Sequence, residues 1–179
     1  MSRIPYYYRQ SWGVGTNLQL HSLRQAWRLW ADLRKKQDLL RPSRIRERCV
    51  VIIDLLGLSI SQLLGQNFSH SLNLKIPSLE DLWNSLQSVT ILSKDEKKSL
   101  NHRFKEFLVF FNDCRHFGSA KHDKIDTLTL ETTAEFVELA LKIWDTVCGY
   151  FKSANSATIN FNSVRNILDE NEDEENEDE

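Results

Sequence analysis

In the stretch "NDCRHFGSAKHD", residues 112–123, Arg115 is followed directly by His116, and His122 comes seven residues after the arginine. These types at this spacing could do chemistry. Histidine titrates near neutral pH and can take or give a proton. Arginine stays charged and can grip a phosphate with two parallel N–H bonds. Seven residues are about two helical turns, so a continued helix would bring Arg115 and His122 to nearly one azimuth. Gly118 offers a second path, in which the helix stops and His122 folds back at its end. Either way Arg115, His116 and His122 can converge. The plainer reading is structural: Arg and His at a helix C-terminus cap the last carbonyls and complement the helix dipole.

The elements that must position these groups read as helices. Leu100, Phe104, Phe107, Leu108 and Phe111 form one stripe leading up to the motif. At about 100° per residue, Arg115 falls about 20° from Phe104 and about 40° from Phe111, so it is expected to continue the apolar stripe. A charge there must be paired, or must line a cleft or an interface. Upstream, "SKDE" at Ser93–Glu96 reads as a capping box that starts this helix. A first long helix is expected over residues 17–40, with Leu20, Leu23, Trp27, Trp30 and Leu33 on one face. Pro42 ends it, and Ser43 is positioned to cap a second helix carrying "CVVIIDLLGLSISQLL", the element expected to be most buried. A strand at "CVVIID" is disfavoured because the apolar run continues too far. Pro77 and Ser78 open a shorter helix, and a last long one is expected from about Thr132 to Phe151.

With six Gly and three Pro in 179 residues, long uninterrupted elements are favoured. The fold class expected is all-α: a helical bundle of four long helices plus a short one. Four segments are expected: an N-terminal arm over 1–16, the bundle over 17–152, a linker over 153–168 holding a short "VRNIL" turn, and a disordered acidic tail over 169–179. Three cysteines, Cys49, Cys114 and Cys148, have no metal-type spacing and suit reduced thiols in the cytoplasm. No membrane span is predicted, and "MSRIPYYYRQSW" lacks the apolar core of a signal peptide.

The net charge of −2 hides an asymmetry. Residues 1–50 carry eleven Lys or Arg against three acids, while the last eleven residues hold nine acids and no base. A basic body suits a polyanionic partner, because phosphate contacts release condensed counterions. Arg41, Arg44, Arg46 and Arg48 are the candidate RNA-binding residues, with Arg24, Arg28, Arg34, Lys35 and Lys36 nearby; the alternative is an ordinary solvated face. The tail reads equally as a solubility device. Tyr6, Tyr7, Tyr8 and Trp12 could stack bases but are better suited to anchoring the arm. Asp54 in the apolar second helix reads as a paired or interface acid. His21, His70 and His102 have no ligand-like spacing, and "GVG" at 13–15 is too short for a phosphate loop. No metal and no cofactor are expected.

An Arg, a polar residue and then a His, with six residues between Arg115 and His122, at the end of a late bundle helix, resembles the HEPN superfamily. The resemblance covers residues 17–152 as architecture and eight residues, "RHFGSAKH", as motif. Here His116 stands where Asn is commonest in that family. The resemblance implies a metal-independent endoribonuclease, often a symmetric homodimer gathering both motifs, and often a toxin with a cognate antitoxin or a phage-defence effector. In that scheme His122 is the principal acid–base group, Arg115 binds the phosphate and transition state, and His116 positions or carries a second proton. A non-catalytic bundle that binds a partner protein, a nucleotide or RNA is the alternative.

Overall fold

The structure is a computed structural model, and it describes residues 18–68, 78–89, 92–115, 124–155 and 163–175. Six helices appear in them: α1 (Leu18–Lys36), α2 (Pro42–Phe68), α3 (Leu79–Val89), α4 (Lys94–Arg115), α5 (Leu130–Asn155) and α6 (Val164–Glu175). Short 3₁₀ turns at Gln37–Leu39 and Ile125–Thr127 complete the order, and no strand occurs among the described residues. The class is all-α and the architecture a helical bundle, as the periodicity indicates.

Local chemistry sets the helix starts. Ser93 and Glu96 form the reciprocal capping box: Glu96 N–H donates to Ser93 Oγ (3.3 Å) and Ser93 N–H to Glu96 Oε2 (3.1 Å). Ser78 and Asp81 repeat the device on α3. Thr129 caps α5 by accepting from the Thr132 N–H at 3.1 Å, so α5 begins at Leu130, two residues before the expected Thr132. The expected Ser43 cap is not what starts α2. Pro42 takes the first helical position, where its missing N–H costs nothing, and the Arg41 carbonyl accepts from Arg44 and Ile45.

The core is one cluster drawn from all six helices. In α1, Leu23, Ala26, Trp30 and Leu33 are buried, while Leu20 and Trp27 are partly so. The helix pairs antiparallel with α2: Ser22 Oγ donates to Gln62 Oε1 near one end, and Arg48 reaches Asp32 at 2.5 Å near the other. Helix α2 is long and apolar enough to cross a membrane by length and composition. Here it is the central pillar, with Ile52, Ile53, Leu56, Ile60, Leu63 and Leu64 fully enclosed and α1, α3, α4 and α5 all against it. Buried Trp144 on α5 donates its Nε1–H to Ser59 Oγ at 3.1 Å, which satisfies two polar atoms inside the core.

One close approach decides how α4 lies. A Cβ placed on Gly57 would sit 2.2 Å from the Phe111 ring. Only glycine lets α4 come this near α2. Phe111 is held from the other side by Phe107, the ring centroids 5.8 Å apart and nearly parallel. Phe107 in turn meets Phe136 of α5 edge-on at 5.4 Å, and Phe104 stacks on Trp83 of α3 at 4.0 Å. These rings fix both the azimuth of α4 and the position of its C-terminal end.

The C-terminal region departs from expectation. Residues 164–168 are not a short turn before a disordered tail: α6 extends to Glu175, so the acidic run is helical through that residue. The physical reason is tertiary. Asp145 on α5 accepts from the Val164 N–H at 2.9 Å and so caps the helix from outside its own segment. Val164 and Leu168, one turn apart, are buried, and Arg165 grips Glu138 with bonds of 2.5 and 2.7 Å. The expected linker is correspondingly shorter, because α5 continues to Asn155. Residues 176–179 and the N-terminal arm lie outside the described residues.

Candidate functional site at the C-terminal end of α4

Arg115 is the last residue of α4 and is exposed. It does not continue the buried stripe. That role falls to Cys114, which follows Leu100, Phe104, Phe107 and Phe111 into the core at 7% exposure. The azimuth estimate places Arg115 at the stripe's edge, beside half-buried Leu108, and a long side chain at an edge can lift its head into water. Its guanidinium carbon lies 5.5 Å from the Phe111 ring centroid, a cation–π contact that holds the charge against α4. The arginine is thus positioned and accessible, and no acid among the described residues neutralises it. His116 and His122 lie outside the described residues.

Beside this helix end is an open groove of about 460 Å³ between the start of α2, the end of α4 and the 3₁₀ turn at Ile125–Thr127. Its inner surface is Val50, Val51, Cys114 and Ile125. Its rim is Ser43, Arg46, Glu47 and Asp126. The Cys114 thiol is pushed up to about 12 by burial, with the carboxylates of Asp54 and Asp113 adding to the effect. It is therefore a neutral apolar wall at physiological pH and no nucleophile. Cys148 is likewise raised to about 12, by burial and then Asp145. All three cysteines are free and buried.

The four candidate RNA-binding arginines do not form one patch. Arg44 pairs with Glu47 at 2.7 Å, Arg46 with Asp126 at 3.3 Å and Arg48 with Asp32 at 2.5 Å. Arg44 and Arg48 share one side of α2, whereas Arg46, two residues from each, points away from both. Arg41 precedes the helix and is exposed. Spacing along the sequence could not show this pairing, because Asp32 and Asp126 come from other elements. Asp32 is held below the ordinary carboxylate range, first by Lys36 and then by Arg48.

Of the remaining sequence candidates, only Asp54 comes near this helix end, close enough for its carboxylate to act on the Cys114 thiol. His21 and His102 are exposed, His102 lying 3.8 Å from Glu106. Asp54 is exposed on α2. Among the described residues no group of His, Cys, Asp or Glu could hold a metal ion. Sequence reasoning missed the groove. Cys114 was recoverable from its three- and seven-residue spacing to Phe111 and Phe107. Asp126 carried no such signal, since its partner Arg46 is 80 residues away.

No protein-family model matches the chain, and no curated protein or solved structure is found similar to it.

Proposed function

We propose that this protein is a metal-independent endoribonuclease of the HEPN kind, acting in a toxin–antitoxin or phage-defence setting in the cytoplasm. The observation that carries the reading is Arg115: an exposed guanidinium with no neutralising acid among the described residues, braced on Phe111 at the end of a helix and next to a groove, followed in sequence by His116 and His122. A buried ladder of rings fixes the helix end, which suits a group that must meet a phosphate with small positional error.

In this mechanism one histidine takes the proton from a ribose 2′-OH, and the 2′-oxygen attacks the adjacent phosphorus. The bond from phosphorus to the 5′-oxygen breaks, and a protonated histidine gives its proton to that oxygen. The products are a 2′,3′-cyclic phosphate and a 5′-hydroxyl. Arg115 binds the non-bridging oxygens, whose charge grows in the transition state. His122 is the principal acid–base group and His116 the positioning or second proton-carrying group. In a homodimer two His122 side chains can divide the base and acid roles.

The test is RNA cleavage by purified protein in the presence of a chelator, with end-group analysis. His122→Ala and Arg115→Ala should each slow cleavage by roughly a hundredfold or more. Undiminished cleavage by a folded His122→Ala protein refutes the assignment, and an absolute need for a divalent metal refutes the mechanism. The alternative, a non-catalytic bundle docking a partner protein, nucleotide or RNA, draws on the ion pairing of Arg44, Arg46 and Arg48, which leaves less free charge for RNA than the sequence suggests.

A further inference from the structure

We propose that the groove beside Arg115 is a nucleobase subsite with a preference for guanine. The inference rests on the reading that RNA binds at the Arg115 end of α4, and it adds which base is held there. The volume of about 460 Å³ falls within the ~300–1,000 Å³ usual for small-molecule sites. The walls offer aliphatic surface from Val50, Val51 and Ile125 for the flat face of a base, and the neutral Cys114 thiol adds no charge. Val51 is 48% exposed although apolar, so this wall can be reached from solvent.

The rim supplies the discrimination. Arg46 and Asp126 stand side by side at 3.3 Å, a donor fork next to an acceptor pair. Guanine presents the matching order around the adjoining Watson–Crick and major-groove edges, in the sequence N2, N1, O6, N7. Its N2–H and N1–H are donors for a carboxylate, and its O6 and N7 are acceptors for a guanidinium. Adenine and cytosine each offer a single amino group beside acceptors, and uracil a single N–H, so none fills both oxygens of Asp126. The Arg46–Asp126 pair itself gives way readily. Its side chains are 44% and 76% exposed, and a surface pair of this kind is weak because water screens both charges. Glu47 is less available, because Arg44 holds it at 2.7 Å. Cys114 places the groove one residue from Arg115, so a base in it would bring its own phosphate near the guanidinium.

The experiment is calorimetric titration of the full-length protein with the 3′-monophosphates of guanosine, adenosine, cytidine and uridine. The guanosine nucleotide should bind about tenfold more tightly than the adenosine one, which corresponds to about 1.4 kcal/mol. Asp126→Asn should reduce that preference to within about twofold while leaving adenosine binding unchanged, and Val51→Lys should weaken all four. Both positions are exposed, and thermal denaturation is the check that the variants fold. Equal binding of the four nucleotides, or a guanine preference that survives Asp126→Asn, overturns the proposal. The two readings fail separately. Guanine-selective binding without RNA cleavage removes only the nuclease, and chelator-resistant cleavage without base preference removes only the subsite.

Discussion

Replacing Gly57 by alanine tests the packing that places Arg115. Two opposed effects can be weighed. In a helix interior, alanine is favoured over glycine by about 1 kcal/mol, because glycine loses more backbone freedom. Against this, the new methyl would lie 2.2 Å from Cδ2 and Cε2 of Phe111 and 2.7 Å from its Cγ. Ordinary carbon contacts are ~3.5–4.0 Å, so the ring or the helix must move by more than an ångström. Phe111 has little room, being 4% exposed and stacked on Phe107. Overpacking costs ~1–3 kcal/mol and sometimes more, and a clash this short belongs at the upper end. The net expectation is a loss of about 2 kcal/mol, which for a chain of this size lowers Tm by roughly 4–8 °C. Urea and thermal denaturation followed by far-UV circular dichroism measure it. Gly149 provides the internal control: it also lies within a helix, and a Cβ there meets nothing within 4 Å. Gly149→Ala should therefore be neutral or stabilising by up to about 1 kcal/mol. If Gly57→Ala stabilises as Gly149→Ala does, the close approach of α2 and α4 is wrong. Phe111→Leu in the Gly57→Ala background should recover part of the loss.

Four further outcomes follow from the structure. Native protein at pH 8 should leave Cys114 and Cys148 unlabelled by iodoacetamide while denatured protein labels fully, and rapid native labelling would contradict their burial. Because these thiols ionise near 9 when unfolded and near 12 when folded, their contribution is intact below pH 9 and is lost as pH rises from 9 to 12, visible as a falling Tm in alkali. Asp145→Ala removes the external cap of α6 and should cost about 1 kcal/mol with a loss of helical signal; an unchanged spectrum and Tm would show that α6 does not depend on that cap. Replacing the nine acids of residues 169–179 by their amides, which keeps the length of α6, should tighten RNA binding at low salt, the gain shrinking as salt rises; identical binding by both proteins at low salt makes the acidic run a solubility or docking device.

Five of the six helices and most of their buried faces are legible in the order of residues. Local signals were enough there: the three- and four-residue spacing from Leu100 to Phe111, the Ser93–Glu96 box, and the long apolar run of α2 all act within one or two turns. Packing between elements settles how several of the basic residues are paired. Arg44 finds its acid three residues on, but Arg46 and Arg48 are matched by Asp126 and Asp32, which only packing brings near. It also decided that the acidic run is helical through Glu175, because the cap and the buried contacts that start α6 come from α5 and the core. Arg115 illustrates the division most directly. Its azimuth near the apolar stripe was legible from helical geometry, but a stripe's edge is buried or exposed according to what packs against it, and here Cys114 enters the core while Arg115 is left on the Phe111 ring, in reach of solvent.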